Sequence, residues 1–116
     1  MTKFLSILAL LVLTVTANAV TARLAWDANP PEDNVIGYRL YTSTVDGDYT
    51  NAQVIQLGNV TTGVVTDLLP GNTYHFVVTA YNSVGESGFS SQASLSLPLK
   101  PGPPVQLRIG TFTPLP

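Results

Sequence analysis

Residues 68–74 read Leu-Leu-Pro-Gly-Asn-Thr-Tyr and run directly into Tyr74-His75-Phe76-Val77-Val78-Thr79-Ala80-Tyr81. A Pro-Gly pair sets a tight turn, because proline fixes the first corner's φ and glycine accepts the positive φ of the second. The run behind it is rich in β-branched and aromatic side chains and has the period-two pattern of a strand with one face on a core. Tyr74, Phe76, Val78 and Ala80 are expected inward, and His75, Val77, Thr79 and Tyr81 outward. This stretch dictates a sheet protein, and a sheet with one apolar face must bury it against a second layer.

Shorter segments repeat the pattern. Val20, Ala22, Leu24 and Trp26 alternate before Asp27 and the turn at Asn29-Pro30-Pro31. Ile36, Tyr38 and Leu40 form the next inward set, with Arg39 and Tyr41 on the opposite face. Asp46-Gly47-Asp48 reads as a turn, Val54-Ile55-Gln56-Leu57 as a short strand, Gly58-Asn59 as another turn, and Val64-Val65-Thr66 as a strand. Residues 82–88 make a loop of small polar residues, and residues 91–97 supply the last strand before Pro98. About six strands at this spacing predict an all-β sandwich.

The chain opens on Met1-Thr2-Lys3, continues almost wholly apolar from residue 4 to 15, and then reads Ala17-Asn18-Ala19. A positive start, an apolar core and an Ala-x-Ala site, in that order, predict a signal peptide over residues 1–19 and secretion to an extracellular or periplasmic space. Thr14, Thr16 and Asn18 interrupt the run short of the roughly 20 apolar residues that a membrane anchor needs. Beyond the leader lie one domain's worth of chain, residues 20–98, and a Pro-rich tail, residues 99–116. Five basic and seven acidic residues give a net charge of −2, and the basic ones are scattered singly. That leaves no electrostatic footprint for nucleic acid or for an anionic membrane. There is no cysteine, so the fold rests on apolar packing.

The residues resemble a fibronectin type III domain over about residues 22–98. The matching elements are Leu24-Ala25-Trp26; Ile36-Gly37-Tyr38-Arg39-Leu40-Tyr41; Leu68 with Pro70-Gly71 and Tyr74; and Ala80-Tyr81-Asn82-Ser83-Val84-Gly85-Glu86-Ser87, in the family's order and spacing. The resemblance implies an immunoglobulin-like β-sandwich of fibronectin type III topology, with Trp26 as the central core aromatic and Tyr74 as a corner tyrosine whose hydroxyl bonds back to backbone near Leu68. Trp26, Tyr38, Leu68 and Tyr74 make up the expected structural core. It also implies a binding, spacer or adhesion module, without chemistry of its own. Between the cleavage site and the Trp26 strand there is no room for the family's first strand, which is therefore expected to be missing. Residues 101–109, Pro-Gly-Pro-Pro-Val-Gln-Leu-Arg-Ile, look like the opening of another such domain, and Val105, Leu107 and Ile109 could form a C-terminal strand. There is no Arg-Gly-Asp sequence, so integrin binding gets no support.

One histidine and no cysteine exclude a thiol nucleophile and a multi-histidine metal site, so no enzyme and no cofactor are expected. His75 is expected to be a solvated surface residue. Asp46, Asp48 and Asp67 could offer oxygens to calcium, but a calcium loop needs six or more, and the Asp-Gly-Asp turn continues into Tyr49 and Thr50. Asn59-Val60-Thr61 matches a glycosylation sequon. Arg39, Tyr41 and Tyr81, on adjacent outward positions, form either a candidate interface patch or a cross-strand pair that stabilises the sheet. The expected function is a secreted binding or spacer module making protein or glycan contacts. The alternative is a subunit that associates with itself by donating its C-terminal strand.

Overall fold

The computed structural model describes residues 8–16, 19–105 and 110, and for residues 8–16 it describes the backbone only. Among the described residues there are seven strands: β1 (Leu8–Thr16), β2 (Ala19–Trp26), β3 (Gly37–Ser43), β4 (Gln53–Gly58), β5 (Thr62–Leu68), β6 (Thr73–Tyr81) and β7 (Ala93–Ser96). They form two antiparallel sheets, one of three strands in the order β1-β2-β5 and one of four in the order β4-β3-β6-β7. One pole carries residues 27–36 and 82–92; the other carries residues 44–52 and 69–72, and there the chain leaves β7.

The six strands expected within residues 20–98 are β2 to β7. The expectation of a missing first strand is corrected: β1 occupies that position, pairing with β2 from Leu8 opposite Trp26 to Thr16 opposite Ala19. The physical reason is that an unpaired sheet edge leaves backbone donors and acceptors available, and an adjacent apolar segment satisfies them.

Between the sheets lie Val20, Ala22, Leu24 and Trp26 from β2, Tyr38 and Leu40 from β3, Val65 and Leu68 from β5, and Tyr74, Phe76, Val78 and Ala80 from β6. The alternation of β2, β5 and β6 supplies this set directly. The Trp26 and Tyr38 rings meet at 5.6 Å between centroids, at a tilt of 56°. Ile36 is not part of the core. It lies one residue before β3 and is more than half exposed, while Val35 packs against the core instead. β3 starts at Gly37, so the alternation does not extend to Ile36; at Gly37 itself a Cβ would collide with the Leu57 carbonyl and the Tyr81 hydroxyl.

The turn at residues 69–72 is held by the Tyr74 hydroxyl, which accepts from the Leu69 N–H at 2.8 Å and from Asn72 Nδ2 at 3.2 Å. Gly71 has φ +88°, a left-handed value that glycine adopts without strain. The Gly71 N–H donates to the Leu97 carbonyl, and the Leu97 N–H to that of Asn72, so the turn also fixes where the chain leaves β7.

Two substitutions test this packing. Trp26→Ala should cost about 3–5 kcal/mol by lost burial and the cavity left behind. Tyr74→Phe keeps the ring but leaves the Leu69 amide without its acceptor, and should cost about 1–3 kcal/mol. Both are read from denaturant midpoints at constant slope; a loss below about 0.5 kcal/mol for Tyr74→Phe would place its hydroxyl in water.

Candidate binding face

The outward residues of β6 are not solvated. His75, Val77 and Thr79 are buried, Thr79 to 1% exposure, and Tyr81 is half-buried. Residues 82–92, a segment that continues the edge next to β6 where β7 stops short, lie against His75 through Gln92 and against Thr79 through Glu86, while Arg39 lies over Tyr81. The Ser87 and Ser90 amides donate to the Ala80 and Val78 carbonyls at 2.8 and 2.9 Å. In return, Ser87 Oγ and Ser90 Oγ accept the Ala80 and Val78 N–H groups, each at 2.9 Å. Two hydroxyls therefore stand where the carbonyls of a neighbouring strand would be, and every one of these four buried backbone groups is paired.

Asn82 shapes the start of this segment. Its Oδ1 accepts from the Val84 and Gly85 amides at 2.8 and 3.1 Å, and its Nδ2 donates to the Asp33 carbonyl at 2.8 Å. The turn that results presents Glu86 to the sheet. Glu86 accepts from Thr79 Oγ1 at 2.6 Å and from the Tyr41 hydroxyl, and pairs with Arg39 at 3.1 Å. Arg39 lies between the two tyrosines expected beside it, its guanidinium carbon 4.4 Å from the Tyr81 ring centroid. Opposite β3 the partner of Tyr81 is Gly37 and that of Tyr41 is Val77, so the two tyrosines do not pair. Tyr81 instead donates to the Leu57 carbonyl at 3.2 Å.

Tyr41 packs edge-on to Phe89, with centroids 5.2 Å apart, and Tyr49 meets the same ring at 5.3 Å. Phe89 is 51% exposed although it is flanked by two tyrosines, and Val54, opposite Tyr41 on β4, is exposed beside them. Gln92 ties this cluster to residues 44–52: its Oε1 accepts from the Tyr49 hydroxyl at 2.5 Å, and its Nε2 donates to Asp46 at 2.8 Å. His75, expected to be solvated, is buried beneath, with Nδ1 2.7 Å from Ser94 Oγ. The outer face is thus an aromatic ridge, Tyr41-Phe89-Tyr49, bordered by the Arg39–Glu86 pair and by amide groups.

Burial pushes the Glu86 carboxyl up, but the hydrogen bonds from Thr79 and Tyr41 and the charge of Arg39 outweigh it and hold it below the ordinary glutamate range. Burial and then the Glu86 carboxylate raise the Tyr41 phenol, and burial with Asp46 pushes that of Tyr49 up to about 12. Both tyrosines are neutral donors at physiological pH.

The other expected sites lie elsewhere. Among the described residues no group of three or more His, Cys, Asp or Glu could hold a metal, so Asp46, Asp48 and Asp67 do not converge. Asp48 accepts the Thr50 amide at 2.9 Å, an ordinary turn contact. Asn59 is exposed in the β4–β5 turn. Val105 is fully exposed, and Leu107 and Ile109 lie outside the described residues. Among the described residues no helix is long and apolar enough to cross a membrane. The open groove at the pole of residues 27–36 includes Tyr81 but not Tyr41.

Comparison with known proteins agrees with this architecture. Residues 9–96 match the family model of the fibronectin type III domain. Over 50 residues the chain is 50% identical to a kelch domain-containing protein of Saccharolobus solfataricus, a match covering 43% of this chain and 7% of that protein. The fold is similar to the chicken CNTN1 FN1–FN3 domains, with a TM-score of 0.70 at 21% identity, over 85% of this chain and 33% of that one. It is also similar to an Fn3-like protein from Clostridium thermocellum, with a TM-score of 0.65 at 28% identity, over 86% of this chain and 97% of that one.

The Glu86 network predicts a pH signature. A carboxylate whose folded pKa is depressed contributes stability above its unfolded value, about 4.3, and loses it as pH falls through the folded value. Glu86→Gln should therefore cost about 1 kcal/mol at neutral pH, a modest figure because water screens the half-exposed pair. The difference from wild type should close as the pH is lowered through the acid range below that value. A gap that is constant across this range would show that the carboxylate's charge has no part in docking residues 82–92.

Proposed function

The chain belongs to the fibronectin type III domain family, and from that premise we propose that it is a secreted, non-catalytic interaction module that contacts a protein partner through the outer face of its four-stranded sheet. The observation that carries this reading is Phe89. A half-exposed aromatic ring packs against both Tyr41 and Tyr49. Aromatic residues and arginine dominate the energetics of protein interfaces, and rings already held by their neighbours lose little freedom when a partner arrives. Arg39, Gln56 and Gln92 border the ridge with polar groups able to fix a partner's orientation.

Secretion is supported by Lys3, the apolar run behind it and Ala17-Asn18-Ala19, which together have the order of a cleaved leader. A glycan would stack on the same exposed ring, so the test includes one. The purified secreted protein is cross-linked to the proteins of its own extracellular fraction and probed against a glycan array, beside Phe89→Ala and Tyr49→Ala. Loss of a central aromatic contact is worth about 2 kcal/mol or more, which is about thirty-fold in affinity. The proposal expects a protein partner that both substitutions release by about that factor with the fold intact. Partners retained equally by the two variants would place the interface on another face, and binding confined to the glycan array would replace the protein by a sugar.

A second reading, self-association through the C-terminal segment, is favoured by the full exposure of Val105 at the head of an alternating apolar run.

A further inference from the structure

Among the described residues, β1, β5 and β7 are edge strands that each carry a feature discouraging another strand from pairing with them. β1 shifts register against β2 between Leu10 and Val12, and β5 shifts between its pairs with Val20 and Ala22, where Asp67 sits at φ +62°. β7 is short, and Pro98 follows it closely. The remaining edge strand, β4, has none of these. It keeps step with β3 without a shift, from Gly58 opposite Gly37 to Gln53 opposite Thr42. It contains no proline, and residues 49–66 carry no charged side chain.

The ladder also fixes which backbone groups β4 offers. Val78 and Ala80 bond to Ser90 and Ser87 on the side of β6 away from β3, so Val77, Thr79 and Tyr81 turn their N–H and C=O groups toward β3. Their partners there are Tyr41, Arg39 and Gly37, so Tyr38, Leu40 and Thr42 turn the other way, toward β4. Opposite these stand Leu57, Ile55 and Gln53. The N–H and C=O groups of Val54, Gln56 and Gly58 therefore point along the open edge. Among the described residues the Gly58 carbonyl is taken, by the Val60 N–H at 2.8 Å, while the groups of Val54 and Gln56 meet no other strand.

We propose that this edge pairs with the same edge of a second copy of this chain, antiparallel about a two-fold axis centred on Ile55. The open groups select that occupant because they are their own complement. In this register Val54 meets the partner's Gln56 and Gln56 meets the partner's Val54, and each such pair exchanges both of its N–H···O bonds, so every open donor and acceptor of the two residues is used. An axis at Gln56 would set Val54 against Gly58, whose carbonyl is already taken, and an axis at Val54 would set Gln56 against Ala52, whose N–H is bound to the Tyr49 carbonyl. Ile55, which packs against the core, meets its own copy in the closer, non-hydrogen-bonded kind of pair. No like charges are brought together, since residues 49–66 have none and Arg39 is paired with Glu86 in its own chain. The axis stands perpendicular to the sheet, so the two four-stranded sheets continue into one and both Tyr41-Phe89-Tyr49 ridges lie on the same side of it. Each copy spends its edge on the other, which closes the assembly at a dimer. The pairing does not depend on what the ridge binds.

The test follows the purified protein, beside Gln56→Pro and Val54→Pro, by light scattering and amide hydrogen exchange from low to high micromolar concentration. Proline at either position deletes an N–H that points to the open edge and none that points to β3, so the fold's own ladder is kept. Unfolding midpoints of dilute samples check this. The proposal expects a mass that rises with concentration and stops at a dimer, Val54 and Gln56 amides that become protected over the same range, and dimers weakened about tenfold or more by either proline, because each variant loses one bond on either side of the axis. Exchange in the unsubstituted protein decides the matter even if a proline disturbs the fold. A monomer throughout would overturn the proposal. So would a dimer in which those two amides exchange freely, because its contact would lie on the C-terminal segment or another face. Protection of the two amides by an added partner protein, with no dimer formed, would give the edge to a foreign strand and overturn the choice of occupant.

Discussion

The structure depends on β6 being buried on both faces. Its inward set, Tyr74, Phe76, Val78 and Ala80, is covered by the opposite sheet, as in any sandwich. Its outward set has no second sheet to cover it, and the cover comes from residues 82–92. Those residues can lie there only because Ser87 and Ser90 supply hydroxyl acceptors where β7 has ended. A four-residue β7 would otherwise leave the upper half of β6 as an open edge with unpaired amides. The serines close the edge without extending the sheet.

The binding face arises from that closure. Once residues 82–92 lie across β6, Glu86 falls within reach of Arg39, Tyr41 and Thr79, and Phe89 falls between Tyr41 and Tyr49. Gln92 joins the same segment to residues 44–52. Polar contacts thus position an aromatic ring that the core cannot hold. The ring stays half exposed because its neighbours are tyrosines turned toward Glu86 and Gln92, with their hydroxyls already engaged.

Much of this was legible in the sequence, for a physical reason: period-two burial is written residue by residue in β2, β5 and the inward half of β6. The family and its sandwich came from the same residues. The outward half of β6 was not legible, because residues 82–90 look like solvated loop, and nothing local says that the Ser87 and Ser90 hydroxyls replace strand carbonyls. His75 was misjudged because nothing local shows that Ser94 and Gln92 lie against it. Phe89 was the available signal, a lone aromatic among small polar residues. Ile36 was misplaced because alternation was carried one residue beyond the start of β3 at Gly37. Residues 8–16 show a different limit: an unbroken apolar run suits a leader and a strand alike, and periodicity alone does not separate them.

The most direct test of the account is hydrogen exchange at the amides of Val78 and Ala80, the two donors that end on serine hydroxyls. If residues 82–92 complete the sheet, these amides exchange only through global unfolding, at the same free energy as the ladder between β3 and β6. Exchange of Val78 and Ala80 through a low-energy local opening, with that ladder still protected, would mean that the segment lifts away from β6 and that no preformed binding face exists.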